Sequence, residues 1–110
     1  MKIAIIPARS GSKRIKKKNI KIFLGKPMIF WTIEKIISFN FFDHIYISTD
    51  SLKIANLVTK NFPVSRIIRP QKISDDFSTT YDVISHAIKY LDKSNIKIQH
   101  ICCIYPTSLF

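Results

Sequence analysis

Glycine is nearly missing from this sequence: of 110 residues only Gly11 and Gly25 are glycine, where about eight are usual for this length. The scarcity excludes two common nucleotide-binding loops, since both the Walker A pattern and the GxGxxG fingerprint need glycines that are not there. Both survivors flank one polar segment, where a backbone conformation closed to other residues is expected. Acid is missing from the amino-terminal part. No Asp or Glu precedes Glu34, while residues 1–26 hold nine of the 18 Lys and Arg. The rest of the chain carries nine basic against seven acidic groups, so the formal charge of +11 belongs to one segment. Such a segment reads as a site for an anion, polyphosphate or nucleic acid. Long hydrophobic runs are missing too. Stretches such as Met28–Trp31 fall far short of the roughly 20 residues that cross a bilayer, and Met1-Lys2 leads straight into Ile3–Pro7 and a basic loop, with no signal-peptide pattern. A cytoplasmic protein without a membrane span is expected. Cysteine is limited to the adjacent Cys102 and Cys103, a spacing unsuited to a disulfide between them or to a metal site, so two reduced thiols on one buried strand are expected. His44, His86 and His100 share no spacing, and metal ligation by them is not expected.

What is present is the composition of a packed domain, with 46% hydrophobic residues. Short β-branched runs alternate with segments of helical period. Ile3–Pro7 predicts a first strand buried on both faces, followed by a polar loop over 8–19, a short extended piece over Ile20–Leu24 and a turn at Gly25-Lys26-Pro27. Pro27 suits the first helical position, with Met28, Trp31, Ile33, Ile36 and Ile37 at helical spacing behind it. His44–Ser48 predicts the second strand, and Ile54, Leu57 and Val58 a second helix capped by Asp50 or Ser51. Val64–Ile68 predicts the third strand. Val83, Ile84, Ala87, Ile88 and Leu91 trace a third helix, and Ile98–Tyr105 predicts the fourth strand. This βαβαβαβ order implies a mostly parallel, doubly wound α/β sheet with helices on both faces. Ligands of such sheets bind outside the carboxyl ends of the strands, so the loops that matter are 8–19, 48–51, 69–80 and 105–108.

The loop Ala8-Arg9-Ser10-Gly11-Ser12-Lys13-Arg14 suits phosphate by composition, through backbone N–H groups around Gly11, the two serine hydroxyls and the cations Arg9, Lys13 and Lys18. A solvated basic turn is the plainer reading of the same residues. Other candidates have plain readings as well: Arg69 pairing with Asp75 or Asp76 on the surface, Thr80 capping the third helix, Asp50 capping the second.

The run Ile3–Arg14, followed by Lys18-Asn19-Ile20 and Gly25-Lys26-Pro27-Met28-Ile29, resembles the amino-terminal signature of the acylneuraminate cytidylyltransferase family. Phe42–Asp50 with its Ser-Thr-Asp end, Arg69-Pro70 followed by Ser74-Asp75-Asp76 and Thr79-Thr80, and Tyr105-Pro106-Thr107-Ser108 resemble further family motifs in the same order. The Cys-Cys-Ile-Tyr-Pro-Thr ending is similar to the family's pseudaminic acid members, where sialic acid enzymes more typically have Gln before Pro-Thr-Ser. The resemblance implies a Rossmann-like nucleotide-diphospho-sugar transferase fold, with residues 1–110 as the amino-terminal CTP-binding part of one domain. It implies transfer of CMP from CTP to a nine-carbon sugar acid, with release of pyrophosphate and a need for Mg²⁺. By match to the motifs, Arg9, Ser12, Lys13 and Lys18 would hold the triphosphate, with Arg9 and Lys18 catalytic. Asn19 would position the nucleotide, Arg69 and Thr80 would read the cytosine edge, Ala8 would meet the base through its backbone, and Tyr105 would border the nucleotide or sugar pocket. The Mg²⁺ ligands, most of the sugar pocket and a homodimer contact are implied for a second half beyond residue 110. The chain is therefore expected to be truncated and weakly active or inactive alone. Leu109 stands where the family has Pro. Competing readings are a cytidylyltransferase for another sugar acid and, from a different class, a basic nucleic-acid-binding module or an inactive fragment; partners other than nucleic acid or membrane are favoured, since the cations fall on a tight loop and not along a helix face.

Overall fold

A computed structural model describes residues 1–9, 22–70 and 79–106. Residues 10–21, 71–78 and 107–110 lie outside the described set, and with them the candidates Ser12, Lys13, Lys18, Asn19, Asp75 and Asp76.

The described elements follow the order expected of an α/β chain: β1 (Lys2–Pro7), β2 (Ile22–Phe23), β3 (Lys26–Pro27), α1 (Met28–Phe39), β4 (His44–Thr49), α2 (Leu52–Asn61), β5 (Ser65–Ile68), α3 (Thr80–Lys93) and β6 (His100–Cys103). Four strands form one sheet in the order β5-β4-β1-β6, and every pairing in it is parallel. The chain steps outward from β1 through β4 to β5, then returns to the other side of β1 as β6. Because crossovers between parallel strands are right-handed, reversing the direction of travel moves the connecting helix to the opposite face. The core divides accordingly. Ala4, Ile6, Ala8 and Ile47 pack with Ile29, Ile33 and Ile36 of α1 and with Ile54 and Val58 of α2, whereas Ile3, Ile5, Tyr46 and Ile67 pack with Val83, Ala87 and Leu91 of α3. Alternation along β1 thus sends successive residues to different helical layers, and Ile3 to Pro7 are all buried, as the uninterrupted apolar run predicts.

Local signals decide the element ends, and several differ from expectation. The turn before α1 is centred on Leu24 (φ 50°) and Gly25 (φ 93°), with Lys26-Pro27 returning as a strand antiparallel to Ile22-Phe23. Two consecutive positive φ angles are what a two-residue hairpin of this hand needs. Pro27 is the residue before α1 and not its first turn: its φ of −53° suits a helix but its ψ of 139° is extended. Ser51 caps α2 by accepting the Ile54 N–H at 3.2 Å, so Asp50 is not the cap. Thr79, one residue earlier than Thr80, caps α3 in a reciprocal box: its hydroxyl accepts the Asp82 N–H at 3.2 Å and the Asp82 carboxylate accepts the Thr79 N–H at 3.0 Å. The last strand is shorter than Ile98–Tyr105, because its ladder begins only opposite Lys2, where β1 begins. It lies at the edge of the described sheet, so Cys102 is exposed and Cys103 half-buried, both free thiols, in place of the expected buried pair.

Candidate functional site

The switch in strand order falls between β1 and β6, and the loops after β1, β4, β5 and β6 open on one rim of the sheet. Parity places side chains on that rim. Tyr46 and Ile67 face α3, so two residues further along each strand Ser48 and Arg69 face it too; Arg9 follows from Ile5, and Cys103 and Tyr105 from Ile101, by the same period of two. Candidates that are distant in sequence are therefore brought to one side of one sheet end.

Backbone pairing continues past the strands and holds this rim in place. The Ala8 N–H donates to the Ser48 carbonyl at 2.9 Å, the Arg69 N–H to the Thr49 carbonyl at 2.8 Å, and the Ile104 N–H to the Ile5 carbonyl at 2.8 Å. Arg69 then folds back over the sheet: it is only 4% exposed, and its Nη2 donates to the Ser48 carbonyl at 3.3 Å. Burial pushes its guanidinium below the ordinary arginine value. Asp50 and Tyr105 counter that effect, Arg9 adds to it, and Cys103 counters it weakly. Arg69 is thus an interior cation within electrostatic reach of residues from the ends of the other three strands of the sheet, Arg9, Asp50, Cys103 and Tyr105. Its neighbours respond in kind. Burial lowers the affinity of His86 for a proton, and Arg69, Lys89 and Lys93 lower it further, while burial and Cys102 raise the Cys103 thiol against the pull of Arg69. The balance favours the thiol form of Cys103 over the thiolate.

Thr80 and Tyr105 meet directly. The Thr80 hydroxyl and the Tyr105 hydroxyl share a hydrogen bond that ties the first turn of α3 to the end of β6. Behind it, the buried Thr32 of α1 donates its hydroxyl to the Pro106 carbonyl and anchors the turn that follows Tyr105. Of the sequence candidates, the structure thus gathers Ala8, Arg9, Arg69, Thr80 and Tyr105 at one rim. Ser12, Lys13, Lys18 and Asn19 are outside the described residues. Ser48 and Asp50 fall in loop 48–51, which topology marks, with Asp50 read there as a helix cap; His86 and Thr32 were not legible as site residues. For Asp50 the signal was available, since only one of Asp50 and Ser51 can cap α2 and the other is left at the strand end. For His86, reached only through the packing of α3 on β5, there was none.

The rim combines two arginines, a carboxylate and two hydroxyls beside the start of a helix, a mixed set of donors and acceptors suited to an anionic, hydrogen-bonding ligand. A family model described as cytidylyltransferase matches residues 3–110. The chain belongs to this cytidylyltransferase family. Among its relatives, this cytidylyltransferase chain is 39% identical over 106 residues to the pseudaminic acid cytidylyltransferase of Campylobacter jejuni, covering 96% of the chain and 46% of that protein. It is 31% identical over 109 residues to the N-acylneuraminate cytidylyltransferase of Escherichia coli, covering 98% of the chain and 25% of that protein. It spans about half the length, or less, of these curated relatives. A solved CMP:2-keto-3-deoxy-manno-octonic acid synthetase complexed with CTP superposes with a TM-score of 0.72 at 21% identity, covering 96% of this chain and 39% of that one. The cytidylyltransferase fold is thereby shown for the sheet and its helices, and the expected Rossmann-like α/β architecture holds.

Proposed function

We propose that the chain is the CTP-binding part of an enzyme that transfers CMP from CTP to a nonulosonic, sialic-type sugar acid such as pseudaminic acid. The observation that carries this reading is the convergence of Ala8, Arg9, Arg69, Thr80 and Tyr105 at the rim where the strand order reverses, the place where open α/β sheets take nucleotides. The names of the relatives from Campylobacter jejuni and Escherichia coli support the sugar-acid class.

In this reading cytosine is read by complementary groups. Arg69 donates to the ring carbonyl and the Thr80 hydroxyl accepts from the exocyclic amine; since the Ala8 N–H is already engaged by Ser48, its carbonyl is the atom offered to the base. Tyr105 borders the pocket. Arg9, together with Ser12, Lys13 and Lys18, holds the triphosphate, and Asn19 positions the nucleotide. The anomeric hydroxyl oxygen of the sugar acid attacks the α-phosphorus, the bond to the β-phosphate oxygen breaks, pyrophosphate leaves and the hydroxyl proton is lost. Arg9 and Lys18 are the catalytic cations, because charge grows on the departing pyrophosphate and fixed positive groups stabilise it there. Mg²⁺ is part of the proposal as the metal of the reaction. Among the described residues no three His, Cys, Asp or Glu side chains come together to hold one, so no ligand is assigned and no step is routed through it. A homodimer and a cytoplasmic location belong to the same reading; no described helix is long and apolar enough to cross a membrane.

The test is ligand-induced stabilisation of the full 110-residue chain. CTP with Mg²⁺ is expected to raise the melting temperature more than ATP with Mg²⁺ or a single-stranded oligonucleotide does. A larger shift with the oligonucleotide would favour the nucleic-acid reading, to which the charge of +11 gives electrostatic support, and would overturn this one.

A further inference from the structure

We propose that Tyr105 is a positioning residue that fixes the Thr80 hydroxyl for base reading, acting through Thr80 and not by touching the nucleotide; this rests on the cytidine-binding reading above.

The two partners differ in how firmly they are held. Thr80 is the first residue of α3 and is exposed, and a helical threonine divides between two χ1 rotamers. Left alone, its hydroxyl would be a poorly aimed acceptor. Tyr105 lies between two fixed points of backbone. On one side the Ile104 N–H donates to the Ile5 carbonyl of β1 at 2.8 Å; on the other, the Pro106 carbonyl accepts from the buried Thr32 hydroxyl of α1. The Tyr105 side chain is itself 41% exposed, but it has only two torsions, and with its backbone held on both sides its oxygen can reach few positions. The hydrogen bond between the two hydroxyls therefore transmits order from Tyr105 to Thr80, and not the reverse.

Tyr105 also acts electrostatically on Arg69, favouring its charged form. The phenol thus stands within reach of both side chains assigned to the cytosine edge. A tyrosine hydroxyl bonded to Thr80 selects the rotamer in which the threonine oxygen turns toward the β6 side of the rim, and whichever hydroxyl donates, that oxygen keeps at least one lone pair for an incoming amine. The chemical consequence is selectivity. A pyrimidine with an exocyclic amine gains from an oriented acceptor, whereas one with a carbonyl at the same place does not.

The experiment measures CTP and UTP affinity by calorimetry on the full chain for wild type, Tyr105→Phe, Thr80→Val, Thr80→Ser and the Tyr105→Phe/Thr80→Val double variant. Loss of one orienting hydrogen bond is expected to weaken CTP about 3- to 10-fold in Tyr105→Phe and to narrow the preference over UTP. Thr80→Val should lose at least as much, Thr80→Ser should keep most of the affinity, and the double variant should be no weaker than Thr80→Val alone, the signature of residues acting in series. Additive losses would mean that Tyr105 meets the nucleotide itself, and unchanged CTP binding in Tyr105→Phe would mean that it does nothing there; either result overturns the positioning role while leaving the cytidine reading standing. A wild-type chain with no CTP affinity overturns both. Should Tyr105→Phe fail to fold, the CTP-over-UTP preference of Thr80→Ser against Thr80→Val decides: equal losses would refute an oriented hydroxyl.

Discussion

Arg69 is a cation at 4% exposure, and a charge so placed persists only where fixed dipoles and opposite charge replace water. The Ser48 carbonyl and the Asp50 carboxylate provide both. Arg69→Lys keeps the charge but loses the planar fork; it should weaken CTP by tenfold or more while shifting stability little, as read by calorimetry and urea unfolding. Arg69→Ala, which leaves Asp50 without this counter-charge and opens a void, should cost on the order of 2–3 kcal/mol of unfolding free energy. His86 gives a pH signature. Burial and then the positive groups Arg69, Lys89 and Lys93 hold its folded pKa below the ordinary 6.5, so the unfolded chain binds a proton more readily than the folded one. The contribution of neutral His86 is fully present above that ordinary value and is lost as pH falls from there through the folded pKa. Urea midpoints measured across this acid window should decline in wild type and decline less in His86→Gln.

At the scale of elements, short polar signals do what the apolar pattern cannot. The reciprocal Thr79–Asp82 box starts α3, the helix that carries Thr80 and His86. Thr79→Ala should lower stability by about 1 kcal/mol, seen as a lower urea midpoint at unchanged slope, and should also weaken CTP, because the first turn that presents Thr80 frays. The β2–β3 hairpin depends on Gly25 through its torsion alone: a Cβ there would meet nothing within 4 Å, yet φ is +93°, which L side chains rarely adopt. Gly25→Ala should therefore cost about 1 kcal/mol, without any change in the packing of α1.

Considered whole, the molecule separates its structural and chemical ends. Two apolar layers clamp the sheet, α1 and α2 on one face and α3 on the other, and the reversal of direction that puts them there also opens the rim beside β1. Arg9 and Arg69 stand at that rim, and Arg9 belongs to the stretch 1–26 that holds half of the basic residues. CTP binding should accordingly weaken several-fold when ionic strength rises from about 0.05 to about 0.5 M, as screening shortens the reach of Arg9 and its neighbours, and a calorimetric salt series measures it.

The linear pattern of residues settled the class of fold, the order of strands and helices, and the concentration of basic residues after the first strand, because hydrophobic period, breakers and charge clustering are local properties. It also carried the family motifs that nominated Ala8, Arg9, Arg69, Thr80 and Tyr105. Which of two neighbouring residues caps a helix, as with Asp50 against Ser51 and Thr80 against Thr79, was open, since either side chain can reach the same N–H groups and only backbone torsion chooses. That Arg69 is buried, that His86 lies under its influence and that Tyr105 grasps Thr80 were decided by tertiary structure alone. Those contacts join residues 17 apart, as Arg69 and His86, 25 apart, as Thr80 and Tyr105, and as many as 60 apart, as Arg9 and Arg69, and no periodicity along a chain encodes which side chains meet when a sheet closes between two layers of helices.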